Sequence, residues 1–199
     1  MKRTLFWATL LQVGLAPTLA LGHTGHSDNN GFVHGFMHPI GGLDHMLAMV
    51  LVGVFAYQLG RNAMWLVPAA FIGLMAVGGL AGVAGIPVPF VEVGIALSVV
   101  ALGITIAVGA SWPLALAMTV VGVFAIFHGH AHGSEMHTAF SPSAYGTGFV
   151  LATASLHILG IAFGALICRA ALEDHAVQIY RWAGGATAVL GIVLLASSS

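Results

Sequence analysis

One short segment of the chain combines two histidines with an aspartate at spacings that suit a metal ion. His38, Asp44 and His45 lie within eight residues of one another. On a continuous α-helix, His34, His38, His45 and Met49 would fall within about 60° of one another around the axis. Imidazole, carboxylate and thioether groups on one face are suitable ligands for a first-row transition metal. The segment therefore predicts a metal site, with His34 and Met49 as additional candidates.

The backbone of this segment is expected to be irregular. Pro39 and the pair Gly41-Gly42 lie between the two histidines. They weaken a regular helix, because proline lacks an N–H and glycine is conformationally free. In transporters, broken helices turn backbone carbonyls towards a cavity. We therefore predict an interrupted helix at this point.

A second histidine-rich segment begins 90 residues after His38. His128, His132 and Glu135 follow an i, i+4, i+7 spacing, which places them on one face of a helix that reaches Glu135. His130 points away from this face, and its role is open between a loop ligand and a surface residue. The spacing predicts that the three aligned side chains bind a metal ion together.

Two further polar residues lie in apolar stretches. His157 is in the middle of one stretch, where contact with lipid would be costly, so it should face the interior of a helix bundle. It could bind an ion or hydrogen-bond a neighbouring helix. Glu92 follows Pro89 near the beginning of another stretch. Both a functional and a merely solvated carboxylate fit that position.

The composition indicates what kind of protein must position these side chains. Only 6% of the 199 residues are Asp, Glu, Lys or Arg, against roughly a quarter in a soluble domain, and the mean hydropathy is +1.00. Such a chain cannot cover a water-exposed surface with charge, so its partner is the lipid bilayer. The net charge of −1 argues against a nucleic-acid partner.

Six apolar segments are each close to the roughly 20 residues that a helix needs to cross the hydrocarbon core. Short connections between them favour antiparallel neighbours. We predict an all-α membrane protein of six transmembrane helices, at residues 32–59, 63–85, 90–110, 113–133, 146–168 and 177–196.

The start of the chain has the pattern of a secretory signal peptide. Lys2 and Arg3 precede an apolar stretch that ends in small residues. Cleavage after Ala20 and cleavage after Gly22 are both open, and an uncleaved first span is the alternative. The predicted organisation is a signal peptide (1–22), an outer linker that contains histidine (23–31) and a six-helix transmembrane domain (32–199).

The basic residues predict the orientation in the membrane. If residue 30 lies outside, all five are on the cytoplasmic side, as the positive-inside rule expects. These residues are Lys2, Arg3, Arg61, Arg169 and Arg181. Both histidine motifs then lie towards the outer face, and His157 lies deeper. The number of spans also fits a three-plus-three inverted repeat.

At its histidine motifs the chain resembles the HupE/UreJ family of bacterial nickel and cobalt permeases. The most specific stretch is the pattern His-Pro-x-x-Gly-x-Asp-His-x-Leu that begins at His38; residues 127–135 and 152–157 also match. Length, N-terminus and number of spans agree, so the resemblance covers essentially the whole chain.

The resemblance implies an inner-membrane permease whose outer side faces the periplasm. It implies uptake of Ni²⁺, or Co²⁺ in some members, for the maturation of hydrogenase or urease, without a permanently bound cofactor. The metal-handling positions that it implies are the two motifs and a histidine near the mature N-terminus: His38, Asp44, His45, His128, His132, Glu135 and His23.

Three classes of function remain open from the residues themselves. The leading one is a secondary permease or facilitator, not an enzyme. The chain has no Gly-x-x-x-x-Gly-Lys-Ser/Thr motif for a nucleotide, which excludes direct coupling to ATP within this chain. An intramembrane zinc hydrolase would hold zinc through histidines, with Asp44 or Glu135 as base. A b-type cytochrome would need paired histidines at matching depth. The ligand types do not select nickel, because imidazole also suits Zn, Cu and Fe.

Overall fold

The computed structural model describes residues 30–136, 141–170 and 173–197, and these residues form seven α-helices and no strand. The all-α prediction is therefore confirmed. The predicted signal peptide and most of the predicted linker lie outside the described residues. In chain order the helices are α1 (Asn30–Gly41), α2 (Leu43–Leu59), α3 (Ala63–Val83), α4 (Val91–Val108), α5 (Leu114–Glu135), α6 (Pro142–Ala170) and α7 (Glu173–Ser197).

Five of these helices, α3 to α7, are long and apolar enough to cross a membrane. Helices α1 and α2 pass the same test only as a pair, and the pair is bent by 82° at the break between them. The described residues thus contain five or six candidate spans. The predicted interruption is confirmed, since Gly42 has an extended backbone with φ −98° and ψ 122°.

The bend changes the predicted arrangement of the first motif. His34 and His38 lie on α1, whereas His45 and Met49 lie on α2, so the four side chains do not share one helix face. The prediction of a single continuous ligand strip is wrong for this reason. Met49 is fully buried in the apolar core instead.

Glycines bring α2 and α6 into close contact. A Cβ added at Gly53 would clash with the carbonyl of His157, and one added at Gly160 would clash with the carbonyl of Val50. Further along, Gly164 packs against the ring of Tyr57. Small residues at four-residue spacing allow such approaches in membrane helices. The contacts of Gly53 with Gly160 and of Tyr57 with Gly164 advance by four residues along both helices, so α2 and α6 run in the same direction.

Helices α3 and α5 form a second close pair. A Cβ at Gly78 would clash with the carbonyl of Ile126, and one at Gly82 would meet the carbonyl of His130. This pair is also parallel, whereas the glycine contacts between α4 and α7 run in opposite order. The directions fit a chain that reverses at each connection from α2 to α7.

The interior and the outer surface of the bundle are both apolar. Phe55, Phe71 and Val67 are buried almost completely, whereas Trp65 and Trp182 are among the large apolar side chains that point outwards. An apolar exterior fits lipid rather than water as the surrounding medium.

Candidate metal centre

The two histidine motifs meet at one end of the helix bundle. His38 lies near the end of α1, His45 at the start of α2, and His132 near the end of α5. The imidazole ring of His132 lies 4.6 Å from that of His38 and 4.3 Å from that of His45, measured between ring centroids. The bend at Gly42 lets both helices present a histidine to the same partner.

Three of the side chains can hold one ion between them. His38, His132 and Glu135 each offer a ligand atom, and these atoms all lie within 4.8 Å of one another. His38 Nε2 is 3.2 Å from Glu135 Oε2. Two imidazoles and one carboxylate can bind a first-row divalent metal and leave further positions to water. We refer to His38, His132 and Glu135 as the three-ligand group.

The three-ligand group lies between the solvent and the interior of the bundle. The side chains of His38 and Glu135 are 36% and 56% exposed, whereas His132 is only 3% exposed. An open cavity of about 430 Å³ lies beside them and is also lined by His34, Asp44 and His45, among others. An ion can therefore reach the group from the surface. The helical spacing predicted for His132 and Glu135 is confirmed, because α5 extends to Glu135.

Asp44 contacts its own neighbour rather than the three-ligand group. Its Oδ1 accepts a hydrogen bond from the backbone N–H of His45 at 2.9 Å and lies 2.9 Å from His45 Nδ1. A carboxylate that accepts the Nδ1 proton leaves Nε2 with a free lone pair for a metal. His45 Nε2 is buried and has no hydrogen-bond partner among the described residues. Asp44 thus orients His45.

A series of buried rings continues from this point into the bundle. The ring of His128 lies 5.2 Å from that of His45, and Phe71 lies 5.6 Å from His128 and 5.0 Å from His157. His128 and His157 are 0% and 1% exposed. His157 is therefore directed into the bundle, as predicted. The sequence analysis missed Phe71, because a phenylalanine in an apolar span carries no signal that separates it from ordinary core.

Two aromatic residues of α6 lie against the histidine rings of the three-ligand group. Phe149 lies 4.3 Å from the ring of His132, and Tyr145 lies 6.0 Å from that of His38. Tyr145 and Phe149 also stack on each other at 6.4 Å. The sequence analysis missed these residues too, although their i, i+4 spacing indicates a shared helix face.

Several candidates from the sequence lie away from the cluster. The Nε2–H of His130 donates to the carbonyl of Ile86 at 2.8 Å, which fixes α5 to the connection between α3 and α4. Glu92 is exposed in the first turn of α4 and does not line the cavity beside the three-ligand group. Met49 is in the core. His23 lies outside the described residues.

The fold and the cluster define a polytopic helical membrane protein with histidines and a carboxylate gathered at one end and further histidines buried inside. The family model for the HupE / UreJ protein matches residues 11–194. The chain is also 44% identical to Protein HupE of Rhizobium leguminosarum bv. viciae over 196 residues, which cover 98% of this chain and 99% of that relative. The chain therefore belongs to the HupE/UreJ family, as the sequence motifs predicted. No solved structure matches it.

Proposed function

We propose that this protein is a secondary permease for a divalent transition metal ion, Ni²⁺ first and Co²⁺ next. It would carry the ion from periplasm to cytoplasm and so supply metalloenzymes such as hydrogenase or urease. The observation that carries the proposal is the three-ligand group beside an open cavity, followed by buried imidazoles with unpaired nitrogens. Family membership favours nickel and cobalt, since the ligands alone suit several metals.

Entry of the ion uses the exposed side of the three-ligand group. The Glu135 carboxylate attracts the cation, and His38 and His132 replace part of its water shell. Replacing water with protein ligands is how membrane pathways accept an ion without a large energetic penalty. Because His132 is also in contact with His45, the ion can exchange its solvent-side ligands for buried ones.

Passage through the bundle uses the buried rings. His45, His128 and His157 all have unpaired ring nitrogens among the described residues. Each unpaired buried polar atom costs about 1–3 kcal/mol of stability, which is a reason to assign these nitrogens a function. Neutral imidazoles are suitable ligands for nickel and related first-row metals. The ion therefore moves from His45 past His128 and Phe71 to His157.

The basic residues support the proposed direction of transport. Arg61 lies between α2 and α3, and Arg169 lies at the end of α6. These are the ends of α2 and α6 remote from the three-ligand group, so the positive-inside rule supports a periplasmic position for the group. Neither the family assignment nor the geometry favours the zinc hydrolase, so the permease is the only function that we propose.

The test is uptake of radioactive nickel by cells that depend on this protein for it. His38→Gln should lower the initial rate by at least about tenfold, because it removes a ligand while keeping a polar side chain. The matched control is His175→Gln, which changes an exposed histidine of α7. Wild-type uptake by His38→Gln, at equal protein level in the membrane, would overturn the proposal.

A further inference from the structure

His128 and His157 are fully buried histidines with unused coordinating atoms. Nε2 of His128 and both ring nitrogens of His157 have no hydrogen-bond partner within residues 30–136, 141–170 and 173–197. A single buried histidine of this kind could be tolerated as core. Two histidines in contact with the same Phe71 ring suggest a common ligand. We refer to His128 and His157 as the inner pair.

The hydrogen bond of His128 determines which of its nitrogens can bind a cation. Its Nδ1–H donates to the carbonyl of Phe124 one turn earlier in α5, at 2.8 Å. This bond leaves the proton on Nδ1 and the lone pair on Nε2. Metal-binding histidines are commonly oriented in this way, with the second ring nitrogen held by a carbonyl or carboxylate.

A soft donor lies one helical turn from the Phe71 ring. Met75 follows Phe71 by four residues on α3, and Thr153 precedes His157 by four on α6. The Thr153 hydroxyl donates to the Met75 sulfur at 3.7 Å, and both residues are buried. Phe71 with His157 and Met75 with Thr153 are therefore successive contacts between two antiparallel helices. Met75 and Thr153 thus lie one helical turn along α3 and α6 from the contact between Phe71 and His157.

His157, the deeper member of the inner pair, lies well below the three-ligand group. Phe149 of α6 contacts His132, and His157 follows Phe149 by eight residues, which is about 12 Å along a helix. That separation is large enough for each position to hold its own ion. Ion pathways with more than one site can bind firmly at entry and still release, because neighbouring ions repel each other.

We infer that the inner pair, together with the Met75 sulfur, forms a second cation site that is occupied while the three-ligand group also holds an ion. The inference rests on the proposed function. Imidazole and thioether donors without a carboxylate favour borderline and softer transition metals over Mg²⁺ or Ca²⁺. The inner site therefore selects transition metals after ions have entered through the three-ligand group, whose carboxylate accepts any divalent cation.

The experiment is a Co²⁺ titration of the purified full-length protein in lipid nanodiscs. The number of bound Co²⁺ ions is measured by equilibrium dialysis, and their geometry by visible absorption. His157→Gln should lose one equivalent and keep the spectrum of the remaining site. Glu135→Gln should lose the other equivalent, and His175→Gln should lose neither.

Unchanged stoichiometry in His157→Gln would overturn the inner site and leave the proposed function standing. Unchanged Co²⁺ binding together with wild-type nickel uptake in Glu135→Gln would instead contradict the proposed function. If His157→Gln does not fold, Met75→Leu keeps the volume and removes only the sulfur. It should weaken one Co²⁺ equivalent by at least about tenfold. Equal affinities in Met75→Leu and the wild type would also overturn the inner site.

Discussion

His38 and Glu135 are separated by 97 positions in the chain, yet His38 Nε2 lies 3.2 Å from Glu135 Oε2. The contact forms because α1 ends and α5 ends at the same end of the bundle. The nearby ring of His132 completes a three-ligand group that neither motif could form alone. The relationship makes both motifs one site.

Asp44→Asn should weaken metal binding without unfolding the protein. The substitution removes the negative charge that orients His45, and loss of such an orienting partner typically costs about 10–100-fold in metal affinity. Titration of the purified variant with Ni²⁺ gives the measurement. Asp174→Asn, the same change at an exposed residue of α7, is the control and should bind as the wild type does. Equal affinity in the two variants would show that Asp44 does not orient a ligand.

His130→Ala should lower stability and leave metal affinity unchanged. His130 donates to the carbonyl of Ile86, and loss of such a bond costs about 0.5–1.5 kcal/mol. Thermal unfolding and a Ni²⁺ titration of the same sample distinguish the two effects. His132→Ala is the comparison and should lose affinity. A large loss of affinity in His130→Ala would assign His130 to the ion pathway after all.

Phe71→Ala should reduce nickel uptake and stability together. The ring is 1% exposed and contacts His128 and His157, so its removal leaves a cavity and two unsupported imidazoles. Removal of a buried phenylalanine costs about 3–5 kcal/mol. Phe163→Ala, which removes a 46% exposed ring of α6, is the control and should change nickel uptake and stability little. Normal uptake by a folded Phe71→Ala protein would exclude Phe71 from the pathway.

Gly53→Ala should destabilise the contact between α2 and α6. The new methyl group would clash with the carbonyl of His157, and overpacking of this kind costs about 1–3 kcal/mol. The clash would displace the backbone of His157, which is a proposed ligand, so nickel uptake should fall as well. Gly73→Ala adds the same methyl group in open space on α3 and provides the control. The quantities to compare are the unfolding temperature and the uptake rate at equal protein level; no difference between the variants would contradict the packing.

Local patterns in the sequence were sufficient for the fold class and for the side chains that the cluster contains. Apolar segments of membrane length predicted the helices, because crossing lipid requires a minimum number of apolar residues. Pro39 and Gly42 predicted the break, since both weaken a helix wherever they occur. The spacing of His132 and Glu135 predicted that they share a face, because the helical period is fixed.

Tertiary structure alone decided how these pieces meet. The 82° bend separates His38 from the face of Met49, and Asp44 turns to its neighbour His45. His130 becomes a structural hydrogen-bond donor, and Phe71 joins the buried rings. The helical period determines which residues share a face. It does not determine the direction of a break or the register between distant helices. Those depend on contacts such as the close glycine packing, which form only when the whole bundle has assembled.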